Sequence, residues 1–408
     1  MRPYDAVVVG AGPAGLSAAA EIAATGGRCL VIEQGVHHGA RDRAAPEEIL
    51  GGVGGAGLFS DGKHSFHPAA SALWALSDEA RLHRAYEAVA RLLVAHGLSA
   101  PPFPPPPAAP SALAAAPAGW RAKRYPSLYL SLPERMRCIA ELYEQCGELP
   151  WLSARVVAAW RTPTHLALEV DQRGERRVVE TNAVVVATGR LSPLWLRPWL
   201  APLGVTFAFR RLELGVRLET SAAAPLFARL DGIDPKLSFE TERARFLTFC
   251  TCRDGEVVVG RVGAVHAVSG RADGPPTGRS SIGLLARVTD AVAAEAILPH
   301  VLAAQPFTVP VRELLNVAPT LVSAFGRAGA ELVAEAGRRF VAVAPELADD
   351  PAAVVHGPCL EGVGMYPVAT DDLVLAPGVL VAGDACGRFR GLVASMVSGR
   401  YVGSALAR

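Results

Sequence analysis

The chain has 408 residues, half of them apolar, which is enough for a large core and for two packed domains. Forty basic residues oppose 39 acidic ones, and the resulting net charge of +1 gives no whole-chain field for nucleic acid or an anionic membrane surface. No uninterrupted apolar run is long enough to span a bilayer. We therefore expect neither a nucleic-acid-binding protein nor a membrane protein.

The cysteines predict neither a metal centre nor a disulfide framework. There are seven, scattered along the chain, and they lack the paired CxxC spacing of zinc sites. The chain is also too long for a disulfide scaffold. Because Asp5 to Gly10 already reads as a buried strand, we expect no removable signal peptide and a cytoplasmic location.

The first 35 residues predict a complete βαβ unit. A β-branched strand at Ala6–Val9 precedes the glycine turn Gly10–Gly15, and a helix follows at Leu16–Ala24. Gly26 and its neighbour end that helix, and Cys29–Glu33 reads as a second strand ending in an acid. This order is the context that a dinucleotide-binding GxGxxG motif requires.

Each glycine of the motif has a physical role in that context. Gly10 permits the tight turn, Gly12 lets the backbone approach a pyrophosphate, and Gly15 lets helix and strand pack closely. The diphosphate is expected at the open amides of the helix, and Glu33 would accept hydrogen bonds from an adenosine ribose. The predicted cofactor-binding residues of this unit are Gly10, Gly12, Pro13, Ala14, Gly15, Glu33 and Gln34.

A second literal GxGxxG, at Gly52–Gly57, lacks the required context. Only Ile49 and its neighbour precede it as an apolar run, and Ser60–Gly62 prevents a helix from following. We therefore expect no second nucleotide site here. The stretch reads instead as a loop folded against the cofactor, to which it would contribute Gly55 and Asp61.

Helices and extended segments alternate in the next part of the chain. Apolar residues at helical spacing predict a helix over about 69–96, and another is predicted from Pro133 to Cys146. The proline run 101–107 excludes helix and inner strand and predicts an extended surface loop. Strands are predicted at Val156–Trp160, at His165–Val170 and from Arg177 to Ala187.

The pattern of the second half is mixed. Strands are expected at Thr206–Leu218 and Glu256–Val262, and helices at Ser281–Ala296 and Pro310–Glu335. The last elements are a strand, Val379–Ala382, and a closing helix, Leu392–Leu406.

Two distal motifs favour FAD over NAD. Thr181–Gly189 matches the strand and turn found halfway along two-dinucleotide-fold flavoproteins, and Val381–Ala385 resembles the C-terminal segment in which their aspartate binds the ribityl chain. Either motif alone is equally well explained as a strand ending in a turn. The same resemblance places the Val156 backbone beside the adenine and the amides of Gly391–Val393 at the flavin pyrimidine edge. The residues it implies are Val156, Thr188, Gly189, Gly383, Asp384, Gly391, Leu392 and Val393.

Four segments together resemble a family of FAD-dependent dehydrogenases, without an assigned substrate, in the glutathione-reductase-like flavoprotein superfamily. They are Gly52–Phe66, Leu214–Glu219, Thr248–Cys252 and Gly383–Gly399. The resemblance covers most of the chain. It implies the fold and the cofactor FAD.

Candidates for substrate chemistry carry weaker signals. Lys63 and His64 follow the glycine loop and would serve as base or substrate contact, although a purely structural role explains them equally well. Arg388 flanks the flavin segment and would hold an anionic substrate. Alternation on a strand would put Cys250 and Cys252 on one face, which permits a redox role, but free cysteines usually behave as small hydrophobes.

The expected fold class is α/β. A Rossmann-like FAD-binding domain is assembled from the discontinuous segments 1–68, 150–205 and 355–408. Residues 69–149 form a helical and loop insertion, and 206–354 form an inserted, sheet-containing substrate domain.

The expected function is FAD-dependent oxidation or reduction of a small organic substrate by hydride transfer to or from flavin N5. The alternative is an FAD-dependent monooxygenase, for which NAD(P)H and oxygen would be transient partners. A third reading is a non-catalytic flavin-binding redox sensor. The sequence leaves the oligomeric state open.

Overall fold

A computed structural model describes residues 2–67, 69–104, 119–123, 126–230 and 232–406. Its helices are α1 (Pro13–Ala24), α2 (Pro46–Leu50), α3 (Gly55–Leu58), α4 (Glu79–Ala95), α5 (Leu132–Glu144), α6 (Pro193–Leu200), α7 (Pro225–Arg229), α8 (Ala291–Ala303), α9 (Val311–Leu315), α10 (Pro319–Val341), α11 (Glu346–Asp349) and α12 (Leu392–Leu406). Short 3-10 turns occur at His38–Ala40, Ala201–Leu203 and Gly383–Cys386.

Most strands are short, and the three longest lie in the second half of the chain. They are β1 (Ala6–Val9), β2 (Cys29–Glu33), β3 (Lys63–Ser65), β4 (Arg121–Lys123), β5 (Ser127–Tyr129), β6 (Trp151–Ser153), β7 (Arg155–Arg161), β8 (Leu166–Gln172), β9 (Glu175–Thr181), β10 (Val184–Val186), β11 (Phe207–Ser221), β12 (Lys236–Glu240), β13 (Arg245–Cys252), β14 (Glu256–Val262), β15 (Val265–Arg271), β16 (Arg279–Val288), β17 (Phe307–Pro310), β18 (Val354–Pro367), β19 (Val374–Ala376) and β20 (Val379–Val381).

A mostly parallel sheet joins segments from the start, middle and end of the chain, and only its edge strand β19 runs antiparallel to its neighbour β20. Its order is β19-β20-β10-β1-β2-β6, and β1 pairs in parallel with both β10 and β2. All four residues of β1 are buried, because α1 and other elements cover both faces of the sheet. This arrangement confirms the predicted α/β class and the Rossmann-like unit built from discontinuous segments.

A second, larger sheet is antiparallel throughout the described residues. Its order is β17-β18-β11-β16-β13-β12-β4, and helices α8 and α10 pack against it. Its apolar residues form a core separate from the core around the parallel sheet. This antiparallel sheet is therefore not a second parallel dinucleotide-binding fold. The predicted glutathione-reductase-like resemblance is to flavoproteins that are named for two such folds.

Three smaller sheets complete the structure. β7, β8 and β9 form an antiparallel sheet, β14 and β15 form a hairpin, and β3 pairs with β5. Among the residues that the structure describes, no helix is both long and apolar enough to cross a lipid bilayer.

Several predicted elements are confirmed, and others are wrong. The first βαβ unit, the strand Glu256–Val262 and the closing helix are confirmed. The predicted helix over 69–96 begins only at Glu79, because Asp78 caps it by accepting a hydrogen bond from the Arg81 amide at 2.9 Å. Residues 105–107 of the proline run lie outside the described residues.

The predicted helix Ser281–Ala296 is wrong over its first half. This segment is the central strand β16, which pairs with both β11 and β13, and a helix forms only after Asp290. A short apolar run buried on both faces has no periodicity that separates strand from helix. The predicted strand Arg177–Ala187 is likewise two strands, β9 and β10, in different sheets.

The predicted division into domains stays a prediction, and the strand pairing bears on two of its boundaries. β18 pairs with β11 in the antiparallel sheet, so 355–367 lies with the predicted substrate part and not with the parallel sheet. β4, within the predicted insertion 69–149, pairs with β12 of the same antiparallel sheet.

Candidate functional site

One cavity of about 1550 Å³ extends from the glycine turn after β1 to the antiparallel sheet. Of the predicted cofactor-binding residues, only Gly15 and Val393 are not among its described lining residues. Those that line it are Gly10, Gly12, Pro13, Ala14, Glu33, Gln34, Gly55, Asp61, Val156, Thr188, Gly189, Gly383, Asp384, Gly391 and Leu392. Segments separated by about 380 residues along the chain thus meet at one site.

The glycine turn has the geometry that its sequence predicts. Gly10 has φ +98°, and a Cβ there would lie 2.6 Å from the Ala187 carbonyl oxygen. A Cβ on Gly15 would lie 1.8 Å from the Gly10 carbonyl oxygen. Protein packing therefore requires these two glycines.

Gly12 differs from its neighbours in the turn. A Cβ there would meet only the Gly55 Cα, at 3.7 Å, among the described atoms. Gly12 is also the N-cap of α1, whose first residue is Pro13, and no side chain in the described chain caps it. Open amides at the positive end of the helix thus face the cavity, where an anion would be stabilised.

The predicted loop at Gly52–Gly57 folds onto this turn. The Gly54 amide donates to the Ala11 carbonyl oxygen at 2.8 Å. Contrary to expectation, one helical turn, α3, follows before Ser60. The loop nevertheless lies on the cavity wall, through Gly52, Gly55 and neighbouring residues.

Glu33 ends β2 at the cavity wall. Its two carboxylate oxygens accept hydrogen bonds from the Ala11 amide at 2.8 Å and from the Gly35 amide at 2.7 Å. These bonds fix the carboxylate, and each oxygen keeps a further lone pair for a ligand hydroxyl.

Asp384 lies in the 3-10 turn after β20, with a side chain only 9% exposed. Its Oδ2 accepts from Arg390 Nε at 3.1 Å, but its buried Oδ1 has no hydrogen-bond partner among the described residues. A buried carboxylate oxygen without a partner is costly, so it points to an absent donor. The turn is held by the Gly383 amide, which donates to Ser398 Oγ at 2.9 Å.

Arg390 joins Asp384 to two buried glutamates, and we call this group the Arg390 cluster (Asp384, Arg390, Glu213, Glu361 and Arg287). Arg390 Nη1 lies 3.1 Å from Glu213 Oε2 and 3.3 Å from Glu361 Oε2, and Arg287 Nε lies 2.6 Å from Glu213 Oε1. Burial alone would raise the pKa of Glu213, but Arg390, Arg287 and Arg211 outweigh it and lower that pKa to about 2.

A second charged group surrounds two cysteines, and we call it the thiol cluster (Asp61, Lys63, Arg217, Cys250 and Cys252). Lys63 Nζ lies 2.8 Å from Asp61 Oδ2, which accepts a hydrogen bond from Cys250 Sγ at 3.0 Å. Burial would raise the pKa of Asp61, but Lys63 and the bond from Cys250 lower it to about 2.

These two carboxylates predict an acid-sensitive fold. Folded-state pKa values of about 2, below the ordinary 3.8 for Asp61 and 4.5 for Glu213, stabilise the protein above those ordinary values, and this stabilisation is lost as the pH falls toward 2. We expect the Glu213 contribution to the free energy of unfolding to fall by about 2 kcal/mol between pH 7 and pH 3. Urea denaturation at both values, with Glu213→Gln as comparison, measures it. An equal pH dependence in both proteins would contradict the prediction.

The candidates for substrate chemistry lie in different environments. Lys63 lines the cavity, and burial, which would lower its pKa, is outweighed by Cys250, Asp61 and Asp234, so the pKa is raised and the ammonium keeps its proton. Burial lowers the pKa of His64 to about 4, and its Nδ1 lies 3.1 Å from the Gly62 carbonyl oxygen. His64 is not among the described lining residues. Neither side chain therefore has the properties of a general base at neutral pH.

Arg388 and Arg390, the two arginines that follow Asp384, both already have protein partners. Arg388 lines the cavity, and its Nη1 donates to the Thr370 carbonyl oxygen at 3.2 Å. Arg390 is surrounded by the carboxylates of its cluster, so little of its charge remains for an anionic substrate.

Sequence analysis missed Glu213 and Glu361 as members of the cavity wall. A signal was present, because Glu213 and Arg217 interrupt an otherwise apolar run, 212–218, on one strand. Charged residues within a buried strand are rare unless they are paired.

Residues 8–80 match the family of NAD(P)-binding Rossmann-like domains. The match includes the glycine turn, α1 and the loop at Gly52–Gly57, and it agrees with the observed parallel sheet. It covers less than half of the chain, so it supports the fold of this segment. No curated protein matches the chain.

Solved structures resemble the chain only distantly. AlpK is 14% identical with a TM-score of 0.42, over 97% of this chain and 60% of its own. CtdE in complex with FAD and substrate is 13% identical with a TM-score of 0.42, over 97% and 78%. The anhydrotetracycline hydroxylase OxyS from Streptomyces rimosus is 14% identical with a TM-score of 0.42, over 99% and 63%. The chain thus spans less than two thirds of AlpK and of OxyS. At TM-scores of 0.42 these similarities say nothing about the reaction of this chain.

Proposed function

We propose that the chain is an FAD-dependent oxidoreductase acting on a small organic molecule. The observation that carries the proposal is one continuous cavity, lined by the glycine turn, the end of β2 and the Asp384 turn, and extending to the antiparallel sheet. Its volume of about 1550 Å³ exceeds the roughly 300–1,000 Å³ of a site for one drug-sized ligand. A dinucleotide and a substrate therefore have room together.

The residues present fit FAD at four places. The amides at the start of α1 would bind the diphosphate, with Gly12 leaving the space that its backbone needs. Glu33 would accept from the adenosine ribose. The unpartnered Oδ1 of Asp384 would accept from a ribityl hydroxyl. The start of α12, at Gly391 and Leu392, would stabilise negative charge on the flavin ring.

The domain division follows from this assignment. The parallel sheet and its loops would bind the cofactor, and the antiparallel sheet would bind the substrate. When bound, FAD supplies the redox chemistry, and the protein positions the substrate and excludes water. The substrate-side wall includes Glu213, Glu361, Cys250 and Arg287.

Two reactions remain as hypotheses: dehydrogenation by hydride transfer and oxygen insertion. The matched family is named for NAD(P), and one similar structure is named a hydroxylase. An experiment must therefore include NAD(P)H and oxygen among the reactants. The two names do not decide between dehydrogenation and oxygen insertion.

Anaerobic titration of the purified holoprotein tests the proposal. We expect the flavin absorbance to bleach with a substrate or with a reduced nicotinamide. Bleaching by substrate alone supports the dehydrogenase. Bleaching by NAD(P)H, with an oxygenated product once oxygen is admitted, supports the monooxygenase. A flavin that no donor reduces in a broad panel would contradict an enzymatic role and support the sensor alternative.

A further inference from the structure

Cys250 and Cys252 lie at the C-terminal end of β13 with their sulfurs 3.7 Å apart. The pairing of β13 with β16 shifts register between Phe249 and Cys252, and Cys250 has φ +46°. This irregularity turns the two side chains toward each other. Bulges of this kind are common beside functional sites, where they re-aim a side chain.

The charges around the sulfurs favour one thiolate. Arg217 is fully buried, and its Nη2 lies 3.1 Å from Cys252 Sγ. Lys63, Lys236 and Arg217 give three positive charges to this region, while Asp61 and Asp234 give two negative ones. The remaining positive charge is balanced if Cys252 is ionised. The titratable groups that face the pair are Asp61, Lys63, Tyr129, Arg217, Asp234, Lys236 and Cys359.

The pKa values of the two thiols shift in opposite directions, and the lower one belongs to Cys252, in agreement with the charge balance. The hydrogen bond with Cys250 lowers the pKa of Cys252 to about 7 against the effect of burial, and Arg217 and Lys63 add to the lowering. The same hydrogen bond, burial and Asp61 raise the pKa of Cys250. The pair therefore holds a single proton near neutral pH.

Access to the cavity distinguishes Cys250 from the other cysteines. Cys250 is partly exposed and lines the cavity, whereas the other cysteines are buried. Burial raises the pKa of Cys29, Cys138, Cys146 and Cys359 to about 12, and that of Cys386 to about 11. Reactive cysteines lie in electropositive and accessible places. Among the cysteines of the described chain only Cys250 is accessible, and the buried Cys252 lies directly beside it.

A metal ion is the other ligand that this group of atoms suggests. Three possible ligand atoms lie within 4.8 Å of one another: a carboxylate oxygen of Asp61 and the Sγ atoms of Cys250 and Cys252. However, Lys63 Nζ already lies 2.8 Å from Asp61 Oδ2, and Arg217 already contacts Cys252. Two cations in these places would repel a third, so the geometry favours thiol chemistry.

We propose that Cys250 and Cys252 are a redox-active dithiol that exchanges with small organic disulfides entering the cavity. The Cys252 thiolate takes the proton of Cys250 across the 3.7 Å that separates the two sulfurs. The Cys250 thiolate so formed, which lines the cavity, attacks one sulfur of the disulfide, forms a mixed disulfide and releases a thiolate. This leaving thiolate takes the proton from Cys252. The Cys252 sulfur then attacks Cys250, closes the protein disulfide and expels the second thiolate. Two electrons pass from the protein to the small disulfide.

Thiol counting on the intact protein tests this inference. The full chain is incubated without oxygen in bis(2-hydroxyethyl) disulfide, quenched with a maleimide and weighed by mass spectrometry. We expect two of the seven cysteines to escape the maleimide after denaturation. The tryptic peptide 246–253, which contains both, should be lighter by two hydrogens. Alkylation of all seven, or a disulfide elsewhere, would overturn the inference.

Variants and pH identify the roles of the two sulfurs. Cys252→Ser should retain one hydroxyethylthio adduct on Cys250, and the control Cys359→Ser should still form the disulfide. The wild-type rate of exchange should rise about tenfold from pH 6 to pH 8 and then level off, because the thiolate fraction follows a pKa of about 7. A rate that still rises about threefold between pH 8 and pH 9 would indicate two ordinary thiols with a pKa of about 8.5 and would overturn the inference.

Native mass spectrometry addresses the competing ligand. One zinc ion per chain that is lost in Cys250→Ser would overturn the dithiol reading in favour of a metal site. None of these measurements requires FAD, so the dithiol and the flavin proposal can fail separately.

Discussion

Gly12→Ala is expected to weaken FAD binding without weakening the folded protein. The added methyl group would meet only ordinary contact inside the protein, with the Gly55 Cα at 3.7 Å, and Gly12 has a φ of −71° that alanine adopts without strain. It would instead occupy the space through which a diphosphate approaches the backbone. Overpacking of this kind costs about 1–3 kcal/mol, which is roughly a 5- to 150-fold weaker affinity.

Equilibrium titration of the FAD-free protein with FAD measures this effect, and urea denaturation of the same sample measures stability. Gly39→Ala is the matched control, because Gly39 is equally open, with His37 Nδ1 3.8 Å from its Cβ position, but does not line the cavity. Unchanged affinity in Gly12→Ala would contradict the assignment of the diphosphate to this turn. A loss of stability would show that Gly12 serves packing.

Arg135→Met is expected to destabilise the protein by about 3–5 kcal/mol. Arg135 lies on α5, is 2% exposed, and forms an ion pair with the equally buried Asp273. It also donates to the carbonyl oxygens of Leu58 at 3.2 Å, Ser60 at 2.9 Å and Leu130 at 2.7 Å. The substitution would leave a buried carboxylate short of a partner and three carbonyl groups without this donor.

Arg137→Met is the control, since Arg137 is two residues away on the same helix. Its side chain is 61% exposed and, among the described residues, pairs only with Glu134, so the loss should stay below about 1 kcal/mol. Urea denaturation of the three proteins at neutral pH gives the comparison. Similar stability of both variants would mean that Arg135 does not hold the loop at 58–61 in place.

The parts of the fold that the sequence predicts are those encoded locally. The unit from Ala6 to Glu33 carries its strand, turn, helix and acid within 28 contiguous residues, so each signal supports the next. The closing helix after Gly391 is predicted for the same reason. The Asp384 motif was found by its resemblance to flavoproteins, and the structure adds the unpartnered Oδ1.

The antiparallel sheet depends on pairing between distant segments, and its sequence carries weaker signals. β11 pairs with β16 about 70 residues later and with β18 about 150 residues later. β16 reads as a helix because burial on both faces removes the alternation that marks a strand. Glu213 and Arg217 become intelligible only when the partners of their charges are known, and those partners come from other segments.

The two cysteines show the limit of alternation. A regular strand predicts that Cys250 and Cys252 share a face, but it leaves their sulfurs a strand repeat apart. The register shift in β13 brings the two sulfurs to 3.7 Å from each other. No residue type in this segment predicts that shift.

Reconstitution of the purified protein with FAD tests the central claim most directly. The cofactor-free protein is dialysed against FAD, and the visible spectrum and the bound flavin are measured per chain. The account predicts a yellow protein with one FAD per chain that excess NAD⁺ does not displace. A colourless protein that takes up NAD⁺ at the glycine turn, and no flavin at any concentration, would contradict it.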